Sequence, residues 1–106
     1  LFAQSLISRS KKNVIAHIKT LAGYDCTEME ELATTVYGGI KKDGLAIHIV
    51  VRPSDFSEVI VYYNSEKDTL DYENAELWVE NGKDIPKLLT LGKILKNTGI
   101  NKIPVL

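Results

Sequence analysis

The sequence predicts an α+β fold: an N-terminal helix, an antiparallel β-meander of about four to five strands, and a short C-terminal helix. Three observations carry that prediction. Apolar residues in the first 22 positions recur at helical spacing. Two runs between Gly44 and Asn64 are rich in β-branched and aromatic residues. Asp43-Gly44 and Asn81-Gly82 stand between apolar runs as hairpin turn signals.

The first helix is read over residues 1–22. Val14, Ile15, Ile18, Leu21 and Ala22 form its apolar stripe, with Leu6 and Ile7 extending it backward. Lys11, Lys12 and Lys19 lie elsewhere on the circumference and read as a solvated face. Ser8-Arg9-Ser10 interrupts the stripe, which makes Ser10 a candidate for a fresh N-cap. Gly23 is placed to stop the helix. Residues 24–34 admit two readings. Thr27 and Glu30 match a capping box and argue for a short helix, whereas Tyr24 and Cys26 are suited to open a strand. Glu28, Glu30 and Glu31 read as a solvated acidic face, because three neighbours on one segment rarely converge on a cation.

Thr34 to Lys41 is the next strand, with Gly38-Gly39 marking a bulge or a close backbone approach. Leu45, Ile47, Ile49 and Val51 then share one strand face, and Ala46, His48, Val50 and Arg52 the other. Val59, Val61 and Tyr63 alternate with Ile60 and Tyr62 in the run that follows. Both runs are apolar on nearly both faces, so they are expected at the centre of the sheet, joined as a hairpin through Pro53-Ser54-Asp55-Phe56-Ser57. Ser65 to Asn74 is a polar connection with one helical turn. Ala75 to Glu80 is a strand with Leu77 and Val79 on one face and Trp78 on the other. Lys87 to Leu89 pairs back on it as an edge strand, as Pro86 requires. Thr90 caps a closing helix whose buried stripe is Leu91, Ile94 and Leu95, ended by Gly99.

A length of 106 residues sets a single domain, 1–106, and 44% hydrophobic with 25% charged residues is globular composition rather than disorder. A net charge of −1 gives no support to a broad nucleic-acid or anionic-membrane surface, although it leaves room for a local basic patch. Cys26 is the single cysteine, so no internal disulfide forms, and a cytoplasmic location fits. No apolar run approaches the roughly 20 residues of a membrane helix. The chain opens on Leu1 and closes on Ile103-Pro104-Val105-Leu106, which reads as a segment of something larger.

The chemistry-bearing patterns are sparse. There is no nucleophile elbow, P-loop or dinucleotide fingerprint, and no cofactor is expected. His17 and His48 are too few and too scattered for a metal site, and His48 reads as a hydrogen-bonded structural histidine. A helix followed by a strand hairpin also opens many nucleases of the restriction-endonuclease type. Those enzymes carry an acid on one strand and Glu-x-Lys on the next. The equivalent strand here, Ile47-His48-Ile49-Val50-Val51, has neither carboxylate nor lysine to hold Mg²⁺, so no catalytic residue is assigned. The residues singled out for binding are Arg52 and Asp55 at a strand end, where an arginine clamps carboxylate or phosphate, and Tyr62 and Trp78 as aromatic contacts.

Several stretches occur together and in order: Val50-Val51-Arg52-Pro53-Ser54, the Glu66 to Leu70 connection, Glu76-Leu77-Trp78-Val79, and Thr90-Leu91-Gly92-Lys93-Ile94-Leu95 followed by Thr98-Gly99-Ile100. From about Tyr24 onward the chain resembles the C-terminal region of large bacterial proteins that carry a sacsin-like or NO VEIN-like ATPase domain at their other end. The ATPase residues of that family belong to a domain this chain does not contain, so none is carried over. The resemblance implies a non-catalytic accessory module of a multidomain ATPase, its partner another domain of the same polypeptide or a second protein. The rival expectation is a nucleic-acid-binding module or a degenerate restriction-endonuclease-like domain, with Lys41, Lys42 and Arg52 as its cations.

Overall fold

The computed structural model describes residues 4–53, 58–63, 72–91, 95 and 99–105. It is an α+β fold with its helix at the N-terminus. The helix, α1 (Gln4–Lys19), is continuous. Ser10, Val14 and Ile18 are its buried residues, spaced four apart and therefore stacked on one face. Ser10 sits in mid-helix, so it caps nothing; its hydroxyl is used elsewhere.

The strand reading of residues 24–34 prevails. β1 (Tyr24–Asp25) and β2 (Glu30–Ala33) flank a turn in which the Thr27 N–H donates to the Asp25 carboxylate (2.9 Å) and the Met29 N–H to the Cys26 carbonyl (3.1 Å). The capping-box hydroxyl of Thr27 was a local signal without a helix to cap. The remaining strands are β3 (Val36–Lys42), β4 (Leu45–Pro53), β5 (Glu58–Tyr63), β6 (Ala75–Glu80), β7 (Lys87–Thr90) and β8 (Gly99–Pro104), with a 3₁₀ turn, Tyr72–Asn74, before β6. Asp43 and Gly44 both take positive φ (51° and 85°) in the β3–β4 turn, as a two-residue hairpin requires. The bulge expected at Gly38-Gly39 is present as a register shift between Tyr37 and Ile40. A Cβ at Gly39 would lie 2.0 Å from the Glu28 carbonyl oxygen, so the close backbone approach is real.

The sheet is mixed rather than a pure meander. Its order is β1-β3-β4-β6-β7, with β2 also on β3. β4 is central, as expected, but its second neighbour is β6, parallel to it, with Val51 opposite Trp78. The expected β4–β5 hairpin is not formed. β5 instead pairs antiparallel with β8 as a separate two-stranded sheet. The reason is burial. β4 is apolar on both faces, so both need cover. α1 covers one face: Val14 and Ile18 pack with Tyr37, Ile40, Ile47, Ile49, Val51 and Trp78. The β5–β8 pair supplies the other: Val59, Val61 and Ile103 pack with Val50, Ala75, Leu77, Val79 and Leu91. A parallel β4–β6 pair needs a long connection, and β5 lies between the two strands in the chain.

β7 pairs with β6 and lies at the sheet edge, as Pro86 foretold. Thr90 belongs to β7. The Leu95 N–H donates to the Leu91 carbonyl (3.1 Å), one helical-type bond, while the rest of the predicted closing helix, 92–94 and 96–98, lies outside the described residues. Gly99 opens β8, a strand the sequence reading left out.

Candidate functional site

β6 reads Ala-Glu-Leu-Trp-Val-Glu, and every one of its residues is buried. Strand alternation sends Ala75, Leu77 and Val79 to the β5–β8 side, leaving Glu76, Trp78 and Glu80 on the α1 side. Two carboxylates are thus buried beneath a helix. A buried charge is tolerated only when it is paired and hydrogen-bonded, and the structure satisfies each in a different way.

The Glu80 side chain is 2% exposed. Its Oε1 accepts from Arg9 Nε (2.9 Å) and Ser10 Oγ (3.0 Å). Its Oε2 accepts from Asn13 Nδ2 (2.9 Å) and the Gly82 backbone N–H (2.7 Å). Burial alone would raise the pKa of this carboxyl; the donors Asn13, Ser10, Arg9 and Gly82 outweigh it and hold it below the ordinary value. Arg9, Asn81, Gly82 and Lys83 line a polar cleft of about 430 Å³ beside it.

Glu76, at the other end of the strand, is engaged among the described residues by three side chains. Its Oε1 accepts from Tyr24 Oη (2.8 Å) and Trp78 Nε1 (3.2 Å), and its Oε2 from Lys42 Nζ (3.0 Å). Lys42 Nζ also stands 5.2 Å from the centre of the Tyr24 ring. The hydrogen bond to Glu76 raises the Lys42 pKa, and burial with the same acceptor raises that of Tyr24. His17 and Tyr24 meet the Trp78 ring edge-on, with centroids 5.6 and 6.4 Å away. A pocket of about 420 Å³ opens beside this cluster, with Leu45, Ile47 and Ala75 as apolar wall and Lys42, Glu73, Asn74 and Glu76 as polar groups.

The donors and acceptors of these groups are engaged with one another. A general base near neutral pH needs a pKa close to 7. Lys42 and Tyr24 are both pushed away from that range, and the oxygens of Glu76 and Glu80 are occupied by donors. Burial raises the pKa of the Cys26 thiol, which keeps it in the un-nucleophilic form. Among the described residues no three His, Cys, Asp or Glu side chains converge as a metal site would require.

Of the four residues chosen from sequence, Arg52 and Trp78 have described side chains, and these two make separate contacts. Trp78 is in the core under α1, its indole N–H spent on Glu76. Arg52 is half-buried on β4 and donates to the Thr35 hydroxyl and the Val51 carbonyl (3.2 Å). Tyr62 lies on β5 opposite Ile100 of β8, and its side chain is outside the described residues, as is all of Asp55. The proposed cations do not form one patch either. Lys41 pairs with Ala46 at the turn end of the β3–β4 hairpin, and Arg52 lies six residues farther along β4, about 20 Å at roughly 3.3 Å per residue. Lys42 is committed to Glu76. His48 sits on the β5–β8 side of β4, and its buried Nδ1 has no hydrogen-bond partner among the described residues.

Sequence reasoning missed Glu76, Glu80, Tyr24 and Asn13 as members of these clusters, and gave Lys42 and Ser10 other roles. One signal was present: Glu76 and Glu80 share a strand face with Trp78, and an acid in an otherwise apolar strand needs a partner. No protein-family model matches the chain, and comparisons with curated proteins and with solved structures likewise find no match.

Proposed function

We propose that this chain is a non-catalytic interaction or regulatory module of a larger, cytoplasmic multidomain ATPase. Its partner on this reading is another domain of the same polypeptide or a second protein. The observation that carries the reading is the saturation of the buried carboxylates: seven donors are spent on Glu76 and Glu80, four on Glu80 and three on Glu76, all from this fold's own helix, strands and turn. Such groups anchor a scaffold. The resemblance to the C-terminal region of sacsin-like and NO VEIN-like ATPases agrees with it. Val50-Val51-Arg52-Pro53 and Glu76-Leu77-Trp78-Val79 lie side by side as the parallel β4–β6 pair, with Val50 opposite Leu77 and Arg52 opposite Val79. Those motifs therefore build the middle of the sheet.

The reading is tested by sequencing the gene on both sides of the segment. An open frame running into an ATP-binding domain of the gyrase and histidine-kinase type supports it. A start codon directly before Leu1 with a stop directly after Leu106 overturns it. The nucleic-acid reading is tested alongside by titrating duplex DNA at low and high salt. Binding that weakens steeply with salt and is lost in a Lys41→Gln, Lys42→Gln, Arg52→Gln variant would replace the interaction-module reading.

A further inference from the structure

Among the described residues the six-stranded sheet ends on two edges of opposite charge. On one side lie β1 and β2, both paired to β3; residues 24–35 carry Asp25, Glu28, Glu30 and Glu31 and no lysine or arginine. β2 is exposed along its whole length, and Leu32 is 49% exposed. On the other side lies β7, where Lys87 and the preceding Lys83 outnumber Asp84, and where Ile85 (72%) and Leu88 (36%) are exposed. An apolar edge strand is a template for another strand. Pro86 precedes β7, so every residue of β7 keeps its N–H.

The strand directions decide how two such edges meet. β2 runs antiparallel to β3 and β3 antiparallel to β4, so β2 points the same way as β4. β6 is parallel to β4 and β7 antiparallel to β6, so β7 points the opposite way. A second copy shifted sideways, without rotation, brings its β2 against β7 as an antiparallel pair. The faces also match. Lys87 is opposite Val79, whose side chain is on the β5–β8 side. Glu30 is opposite Gly38, and a Cβ at Gly38 would point toward the Leu32 and His48 side chains, on that same side. Glu30 and Lys87 then lie on one face of the joint.

We propose that β7 of one copy of this chain pairs antiparallel with β2 of the next, continuing the sheet head to tail with acid against base. This inference stands apart from the accessory-module reading, since it needs only the two edges. The joint is heterologous, so it does not close at a dimer. Two four-residue strands bury far less than the roughly 1,000 Å² of a stable interface, so the association is weak.

The test is sedimentation of the 106-residue chain at low salt, from about 10 μM to about 1 mM, a range that brackets weak interfaces. The average mass is expected to rise with concentration and to fall as salt is added. Glu30→Lys and Lys87→Glu each place like charges across the joint and are expected to weaken association about tenfold. An equal mixture of the two variants re-forms opposite pairs at every joint and is expected to recover wild-type association. Both positions are exposed; Glu30→Gln and Lys87→Gln, each removing one charge of the joint, are expected to weaken association less and serve should circular dichroism show a charge-reversed variant unfolded. A wild-type chain that stays monomeric at about 1 mM overturns the proposal, as does a mixture no heavier than either variant alone.

Discussion

Glu80 is the residue on which the helix-to-sheet packing depends most. Truncation by Glu80→Ala leaves the buried Ser10 hydroxyl without its acceptor and takes the carboxylate from Arg9, Asn13 and the Gly82 N–H. The expected cost is about 3 kcal/mol, read from urea unfolding. Its pH dependence has a definite sign. The folded pKa is depressed, so the stabilisation is fully present above the unfolded value of about 4.3 and is lost as pH falls through the folded value. Urea midpoints measured downward from pH 7 should stay level and then drop below about pH 4.5, and Glu80→Ala should flatten that drop. At the other end of β6, Tyr24→Phe removes one donor from Glu76 with little change in shape. The expected loss is about 1 kcal/mol. At this scale the sequence was least legible. Trp78 was recognised as the odd face of β6, but the partners of the glutamates beside it come from about 70 residues away for Ser10 and Asn13, and from 52 for Tyr24. Pairings so distant leave no trace in local spacing.

Elements were easier to read than their pairings. Helical periodicity located α1, and Asp43-Gly44 and Asn81-Gly82 located the β3–β4 and β6–β7 hairpins, because those signals act over a few residues. The β4–β5 pairing failed for the same reason: a turn-rich segment looks like a hairpin loop whether or not the chain comes straight back. Two changes test the elements. Ile18→Ala empties a fully buried position between α1 and the sheet and should cost about 3 kcal/mol in urea unfolding. Gly39→Ala places a Cβ against the Glu28 carbonyl at a residue whose φ is +70°. It should cost at least about 1 kcal/mol and disturb the β2–β3 register, visible as altered amide exchange in β2.

For the molecule as a whole, composition and periodicity were enough for the α+β class, because a chain with one amphipathic helix and several apolar strands has few ways to bury them. The mixed topology was not legible. It follows from β4 needing cover on both faces, which is a property of the assembled sheet. Among the described residues no helix is long and apolar enough to cross a membrane. At this scale the buried carboxylates of β6 are satisfied by donors from the same fold. The central proposal is that the chain is a non-catalytic interaction or regulatory module of a multidomain ATPase. Its most direct test is steady-state ATP hydrolysis by the polypeptide carrying both the ATP-binding domain and this segment, compared with the same polypeptide lacking the segment and with the segment alone. The account predicts no hydrolysis by the segment and a changed rate when it is removed. Hydrolysis by the segment itself, or an unchanged rate on its removal, would contradict it.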